Sequence, residues 1–278
     1  EVVTMVPTQL VDLDRYPIDQ TDGAACQALI TACRRDVETQ SICTLPGFVR
    51  PDALEALQAE AQVLAPTACH MDNMRTPYGW MCNAGFEPDH PRSQVFRNRS
   101  GLVLSGEFPT NSSLESFYRW DQLTEFLRQV IGAKTLYNTA CPHLSFNIGV
   151  EDEDGQFGWH FDTNDGCAIS LLIQQPDEGG HFEYTPFIRS NEDENYAEIS
   201  RVFAGESERV TRPEMAPGTL TVFRGHRSLH RVTPVGRTAR PRLIGLFGYD
   251  QNPGMVYPES TIRDFTNPSS EPYLGLPA

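Results

Sequence analysis

Two imidazoles and a carboxylate stand out from the rest of the chain. The segment WHFD (159–162) sets His160 and Asp162 two residues apart, and on an extended strand residues i and i+2 project from one face. A second imidazole, His230, follows about 70 residues later in SLHRVTP (228–234). Two histidines and one carboxylate on one face of an ion leave three coordination positions open, an arrangement suited to Fe(II) chemistry with O2. An HxD pair alone is a weak signal, because a solvated Asp beside a core histidine gives the same pattern. The order HxD, then a distant His, then a strand-initial arginine is far more selective. His160, Asp162 and His230 are therefore predicted to ligate a metal and to carry catalysis, although the same donor set accepts several divalent ions.

The arginine is Arg242, at the head of RLIGLFGYD (242–250). A 2-oxoglutarate co-substrate would fill two open metal positions with its keto and carboxylate oxygens and leave the third to O2. Its far carboxylate needs a fixed cation, and a guanidinium meets a carboxylate in two-pronged fashion where an ammonium does not. Arg240 is the second candidate for this role. Asn147, on the strand before the metal motif, can hydrogen-bond the co-substrate or a substrate carboxylate; a buried Asn tied to backbone gives the same sequence signal.

These groups need a scaffold. The periodicity predicts helices near 24–35, over 51–66 (Pro51 at the start, with Leu54, Leu57, Ala61 and Leu64 on one face) and over 121–131, stopped by Gly132. Residues 67–112, rich in Pro, Gly and Asn, read as a long loop suited to a lid or binding wall. Strands are expected at 144–150, 167–174, 180–187, 218–225 and 242–250, and 189–209 as an exposed acidic loop with a short helix. Helices first and strands afterwards predict an α+β, mainly β chain: a double-stranded β-helix (jelly roll) with packed N-terminal helices. One domain is expected over 1–278, with a helical and loop-rich part (1–135), the jelly-roll core (136–250) and a C-terminal extension (251–278).

Composition narrows the partners. A net charge of -15 argues against nucleic acid and against an anionic membrane surface, both of which require clustered Lys and Arg. No apolar run is long enough to cross a bilayer, and no charged-then-apolar leader opens the chain. Seven cysteines without a CxxC pair predict reduced, mostly buried thiols in a cytoplasmic protein. Cys167, close to the metal motif, is expected to pack rather than react.

The blocks LPGFVRPDALEAL (45–57), WHFDTND (159–165), SLLIQQPDEGGHFEYTPFIRS (170–190), PGTLTVFRGHRSLHRVTPV (217–235) and RPRLIGLFGYD (240–250) resemble, in this order, those of the iron(II)/2-oxoglutarate oxygenases of the broad prolyl-hydroxylase-like group. The nearest likeness is to freestanding amino-acid hydroxylases and halogenases related to lysine halogenase. The resemblance implies Fe(II), 2-oxoglutarate and O2 as cofactor and co-substrates, and a small amino acid as substrate. Halogenases of this group carry a small residue where the carboxylate ligand stands; Asp162 implies hydroxylation instead, with desaturation or ring closure as diversions. The group holds the substrate carboxylate with an Arg from the N-terminal half, for which Arg97 and Arg99 are the candidates. Positions that are acidic in lysine-acting relatives correspond to His143 and Thr163, which implies a neutral or polar far end on the substrate. A relative of this kind closes a cyclopropane ring on a nitrated lysine derivative in peptide natural-product biosynthesis. The competing readings are an oxygenase acting on a carrier- or protein-bound residue, and a non-catalytic jelly-roll module that binds a metal or sugar.

Overall fold

The computed structural model describes residues 4–79 and 85–266. Cys82 and the end of the 251–278 extension lie outside the described residues.

Helix α1 (Pro7–Leu10) opens the fold, followed by α2 (Ala24–Gln40), strand β1 (Ile42–Leu45) and α3 (Pro51–Leu64). The α3 bounds follow from sequence: Pro51 fits the first turn, where its missing N–H costs nothing, and the next proline, Pro66, lies in a short 3-10 turn beyond the helix. Helix α2 runs five residues past its expected end and stops at Ser41, whose φ of 60° is left-handed. Two strands, β2 (Cys69–Arg75) and β3 (Phe96–Val103), precede α4 (Ser113–Tyr118) and α5 (Asp121–Ile131). Gly132, at φ 76°, ends α5 as its sequence predicted. Then come β4 (Tyr137–Asn138), β5 (Phe146–Glu151), β6 (Gln156–His160), β7 (Ala168–Gln174), β8 (Phe182–Tyr184), α6 (Tyr196–Phe203), β9 (Leu220–Phe223), β10 (His230–Val232), β11 (Arg242–Phe247), β12 (Tyr249–Asp250) and α7 (Glu259–Thr266).

The strands pair antiparallel in the order β1-β9-β7-β11-β5-β3-β6-β10-β8, with β2 on β3. One edge of β3 serves two neighbours: Gly101–Val103 pair with β5, and Asn98–Arg99 pair with β6. The sheet thereby curls from a long layer (β1 to β5) into a short one (β6, β10, β8), which is the expected jelly roll. Two expectations are corrected. The 67–112 stretch contains the β2–β3 pair, hidden from a propensity reading because His70, Asp72, Asn73, Arg97, Asn98 and Arg99 are poor strand formers; cross-strand ion pairs such as Arg97–Asp72 support it. The sheet also takes β1 and β3 from the first 135 residues, so it is not confined to 136–250.

Alternation assigns the two faces of the long layer. Phe146, Ile148 and Val150 of β5, Ile169, Leu171 and Ile173 of β7, Leu220 and Val222 of β9, and Leu243 and Phe247 of β11 join the helices in the main core. Each such side chain contributes roughly 1.5–3 kcal/mol on burial. Their neighbours along each strand face the barrel interior: Asn147, Gly149 and Glu151; Thr221 and Phe223; Arg242, Ile244 and Leu246. Phe223 meets Ile42, Tyr184 and Phe182 there, closing the long layer onto the short one.

Candidate metal centre

His160 ends β6, His230 begins β10, and the two are directly paired across the short layer. Their ring centroids are 4.0 Å apart. Each ring's Nδ1 lies against a backbone carbonyl, Gly158 O at 2.8 Å for His160 and Ser228 O at 2.9 Å for His230. A carbonyl only accepts, so both Nδ1 atoms carry the proton and both Nε2 lone pairs are left for a metal. Asp162 lies two residues beyond the end of β6, with Oδ1 3.5 Å from His230 Nε2. One donor atom from each of the three residues lies within 4.8 Å of the others.

The turn after β9 holds the carboxylate in place. Asp162 N donates to Gly225 O at 3.1 Å, and His226 Nδ1 donates to Asp162 O at 3.1 Å. His226 thus secures the backbone of Asp162, a role that nothing in its local sequence marks. Burial, then the neighbouring His230, push the His160 imidazole down to about 3, so it stays neutral. Burial alone would raise the Asp162 carboxyl, but the surrounding imidazoles outweigh it and hold it below its ordinary value. A neutral His160 and an ionised Asp162 are the protonation states a divalent cation needs, and the donor set fits Fe(II).

Arg242 reaches the barrel interior, as expected. It is 4% exposed and donates through Nη1 to Glu151 Oε2 at 2.8 Å. Arg240 does not point inward: it is 60% exposed and bound to Asp177 at 3.2 Å. Asn147 is buried and gives its amide N–H groups to Val103 O (3.1 Å) and His143 O (3.0 Å), the backbone-anchoring role weighed against ligand contact. The two substrate-arginine candidates are not brought to the metal. Arg97 is bidentate to Asp72 at 2.8 and 2.7 Å, and Arg99 is held by Glu153 O and Asp152. Arg75, at the end of β2, stands close enough to His160 to add to the depression of its pKa, and donates to Asn73 at 2.9 Å. It was missed because β2 was read as loop. His143 and Thr163 are exposed, Thr163 next to Gly79. Trp159 packs in a cluster with Tyr78 and Phe161 under the Arg231 guanidinium, and Cys167 packs against the main core.

Among the described residues no helix is long and apolar enough to cross a membrane. No curated protein matches the chain by sequence. The profile of the family described as Halogenase D matches residues 102–258. Solved structures with a similar fold include AviO1 from Streptomyces viridochromogenes Tue57, at 14% identity and a TM-score of 0.53 over 80% of this chain and 95% of that one. A prolyl hydroxylase from Trichoplax adhaerens, in complex with a hypoxia inducible factor peptide fragment, matches at 12% and 0.53 over 81% and 90%. The epimerase SnoN, in complex with Fe3+, alpha ketoglutarate and nogalamycin RO, matches at 11% and 0.55 over 88% and 93%. With its His160–Asp162–His230 triad set in the jelly roll of the Fe(II)/2-oxoglutarate-dependent oxygenases, the chain belongs to the Halogenase D family.

Proposed function

We propose that this oxygenase hydroxylates an unactivated C–H bond of a free amino acid, one that resembles or derives from lysine. The observation that carries the choice of hydroxylation over halogenation is the Asp162 carboxylate, which stands with His160 and His230 in one donor set and fills the position that a halide would need. When bound, Fe(II) with 2-oxoglutarate and O2 supplies oxidative C–H cleavage: one oxygen atom goes to the substrate, and the co-substrate leaves as succinate and CO2.

The chain's own residues do the rest. His160, Asp162 and His230 hold the metal on one side, fixed by Gly158 O, Gly225 O and Ser228 O. Arg242 receives the far carboxylate of 2-oxoglutarate deep in the barrel. Arg75, at the end of β2 and near enough to His160 to lower its pKa, is our candidate for the substrate carboxylate. Ring closure on a nitrated lysine derivative is the second reading, favoured by the non-acidic His143 and Thr163, and it would use the same residues.

The test is succinate formation under air with Fe(II) and 2-oxoglutarate, over a panel of free amino acids with cationic, neutral and nitro side-chain ends. Stimulation by one of them, with a product heavier by one oxygen, is the expected result. A product lighter by two hydrogens selects desaturation or ring closure. No stimulation by any free amino acid, with metal and co-substrate both bound, would move the substrate to a carrier- or protein-bound residue.

A further inference from the structure

A cavity of about 270 Å³ opens at the rim of the barrel, outside the metal donor set. Its walls include Lys134 from the turn after α5, Asp165 and Cys167 from the segment before β7, Arg224 just after β9, and Gln251 just after β12. This is the end of the barrel at which β6 stops at His160 and β10 starts at His230. Alternation keeps the two sites apart. Phe223 faces the interior, where its ring packs on His230 at 4.8 Å. The next residue, Arg224, therefore turns to the helix side of the sheet, the side of Val222.

Two cations on this wall lack partners. Arg224 is half-buried, and its backbone is fixed by a bond from N to Ser41 O at 2.8 Å. Its Nε is buried without a hydrogen-bond acceptor, and its guanidinium makes no ion pair among the described residues. Lys134 is the only lysine of the chain, and it too makes no hydrogen bond or ion pair among them. Carboxylates are plentiful, with 37 acidic residues against 22 Lys and Arg, and Arg189, Arg212 and Arg231 each take one. A charged group left without an acceptor in a buried position is costlier than a neutral one. Asp165, on the same wall, is exposed and pairs with neither cation, so two positive charges face one negative.

The C-terminus of α5 lies close by, and its carbonyl dipoles would oppose an anion. Those carbonyls are already engaged. Gly132 N donates to Gln129 O at 3.2 Å, Ala133 N to Arg128 O at 3.0 Å, and Arg34 Nε to Gln129 O at 3.1 Å. The cavity is smaller than the roughly 300–1,000 Å³ of sites for drug-sized ligands. It suits one small oxyanion, or the anionic end of a longer molecule.

We propose that this cavity is an anion-binding site, in which Arg224 and Lys134 hold a carboxylate or phosphate group at the rim of the barrel. Arg224 offers a fork of N–H donors and Lys134 a point charge. The site adjoins the candidate metal centre through the chain: Gly225, next to Arg224, accepts the N–H of Asp162. An anion that fixes Arg224 thus also steadies the turn that holds Asp162. The proposal does not depend on which substrate the oxygenase takes.

The experiment is titration calorimetry of methyl phosphate, and separately of acetate, at constant ionic strength. The protein is loaded with Fe(II) and 2-oxoglutarate under argon, so that the metal and Arg242 are already occupied. Wild type should bind at least one anion at one site per chain. R224Q should weaken that binding by about tenfold or more, the usual effect of losing a hydrogen bond between charged groups. K134Q, at an exposed position that the fold does not depend on, should weaken it by about two- to fivefold. R201Q, which removes an exposed cation of α6, should leave it unchanged. Without anion, R224Q should melt at the wild-type temperature or above, because the charge it removes has no partner. Tighter binding of methyl phosphate than of acetate assigns a phosphate-bearing ligand, and the reverse a carboxylate. No binding of either anion to wild type would overturn the proposal, as would equal affinity in wild type, R224Q and K134Q, or an equal loss in R201Q.

Discussion

Gly225 and Asp162 are mutually exclusive as bearers of side-chain volume: a Cβ at Gly225 would lie 1.9 Å from Asp162 Oδ2 and 2.8 Å from His230 Cε1. The glycine is therefore part of the candidate metal centre, because only a bare Cα lets the turn after β9 pass beneath Asp162 and His230. Gly225→Ala should cost about 1–3 kcal/mol in unfolding free energy through overpacking and weaken Fe(II) binding by roughly 10–100-fold. Combined with Asp162→Ala the stability cost should shrink without vanishing, since His230 still crowds the site. Unfolding curves of the two single variants and the double variant measure this coupling; additive costs would contradict the contact.

Asp162→Ala removes the ligand while its backbone amide remains on Gly225 O. The fold should survive, Fe(II) affinity should fall at least about tenfold, and hydroxylated product should drop to background. Metal titration and mass spectrometry of the product check both. Hydroxylation at the wild-type rate would show that the carboxylate ligand lies elsewhere.

Arg242 and Glu151 form an ion pair at 4% and 6% side-chain exposure. Removing one partner strands the other as a buried charge, at about 3–5 kcal/mol, whereas replacing both with apolar residues is often neutral or better. Arg242→Met and Glu151→Met should each lower the melting temperature markedly, and the double variant should recover most of the loss. Because Arg242 is remote from the ligands along β11, the Arg242 variant should bind Fe(II) nearly as well as wild type while needing far more 2-oxoglutarate.

Glu183 lies on the outer face of the short layer between Arg212 and Arg231. Burial acts to raise its carboxyl, yet the two guanidiniums win and hold it below the ordinary 4.5. A carboxylate whose folded pKa is depressed stabilises the protein above its unfolded pKa, and that stability is lost as pH falls through the folded value. The wild type should therefore lose melting temperature more steeply below about pH 4.5 than Glu183→Gln does. Parallel acid limbs for the two proteins would show that the pair contributes nothing through ionisation.

The grouping of His160, Asp162 and His230 was legible because metal-binding chemistry demands particular residue types in a particular order, and the β6–β10 pairing only had to bring them together. The helices over 51–64 and 121–131 were legible from the spacing of their apolar residues. What escaped was carried by tertiary context. Strands β2 and β3 mix polar and apolar residues on both faces and are supported by ion pairs and by β5 and β6, so no alternation announced them. Arg240 and Arg242 look alike in sequence; the bond to Asp177 turns one outward, and the buried Glu151 draws the other in. His226 meets the Asp162 backbone across the turn after β9, a contact that no local pattern encodes.

The missed strand also decides which arginine to test for substrate binding. Arg97 and Arg99 sit on β3 in exposed ion pairs with Asp72 and Asp152, interactions worth about 0–1 kcal/mol each. Arg75 ends the partner strand, and its charge acts on both His160 and Asp264 of α7. A substrate carboxylate bound there would gain a charge-assisted hydrogen bond, so Arg75→Ala should raise the substrate KM by about tenfold or more while leaving 2-oxoglutarate binding and Fe(II) affinity near wild type. Arg97→Ala and Arg99→Ala should change the substrate KM by less than about threefold. Steady-state kinetics on all three variants with the amino acid identified by succinate formation decides the matter. A large effect at Arg97 or Arg99 with none at Arg75 would mean that the substrate approaches over the outer face of β3 and not along the end of β2.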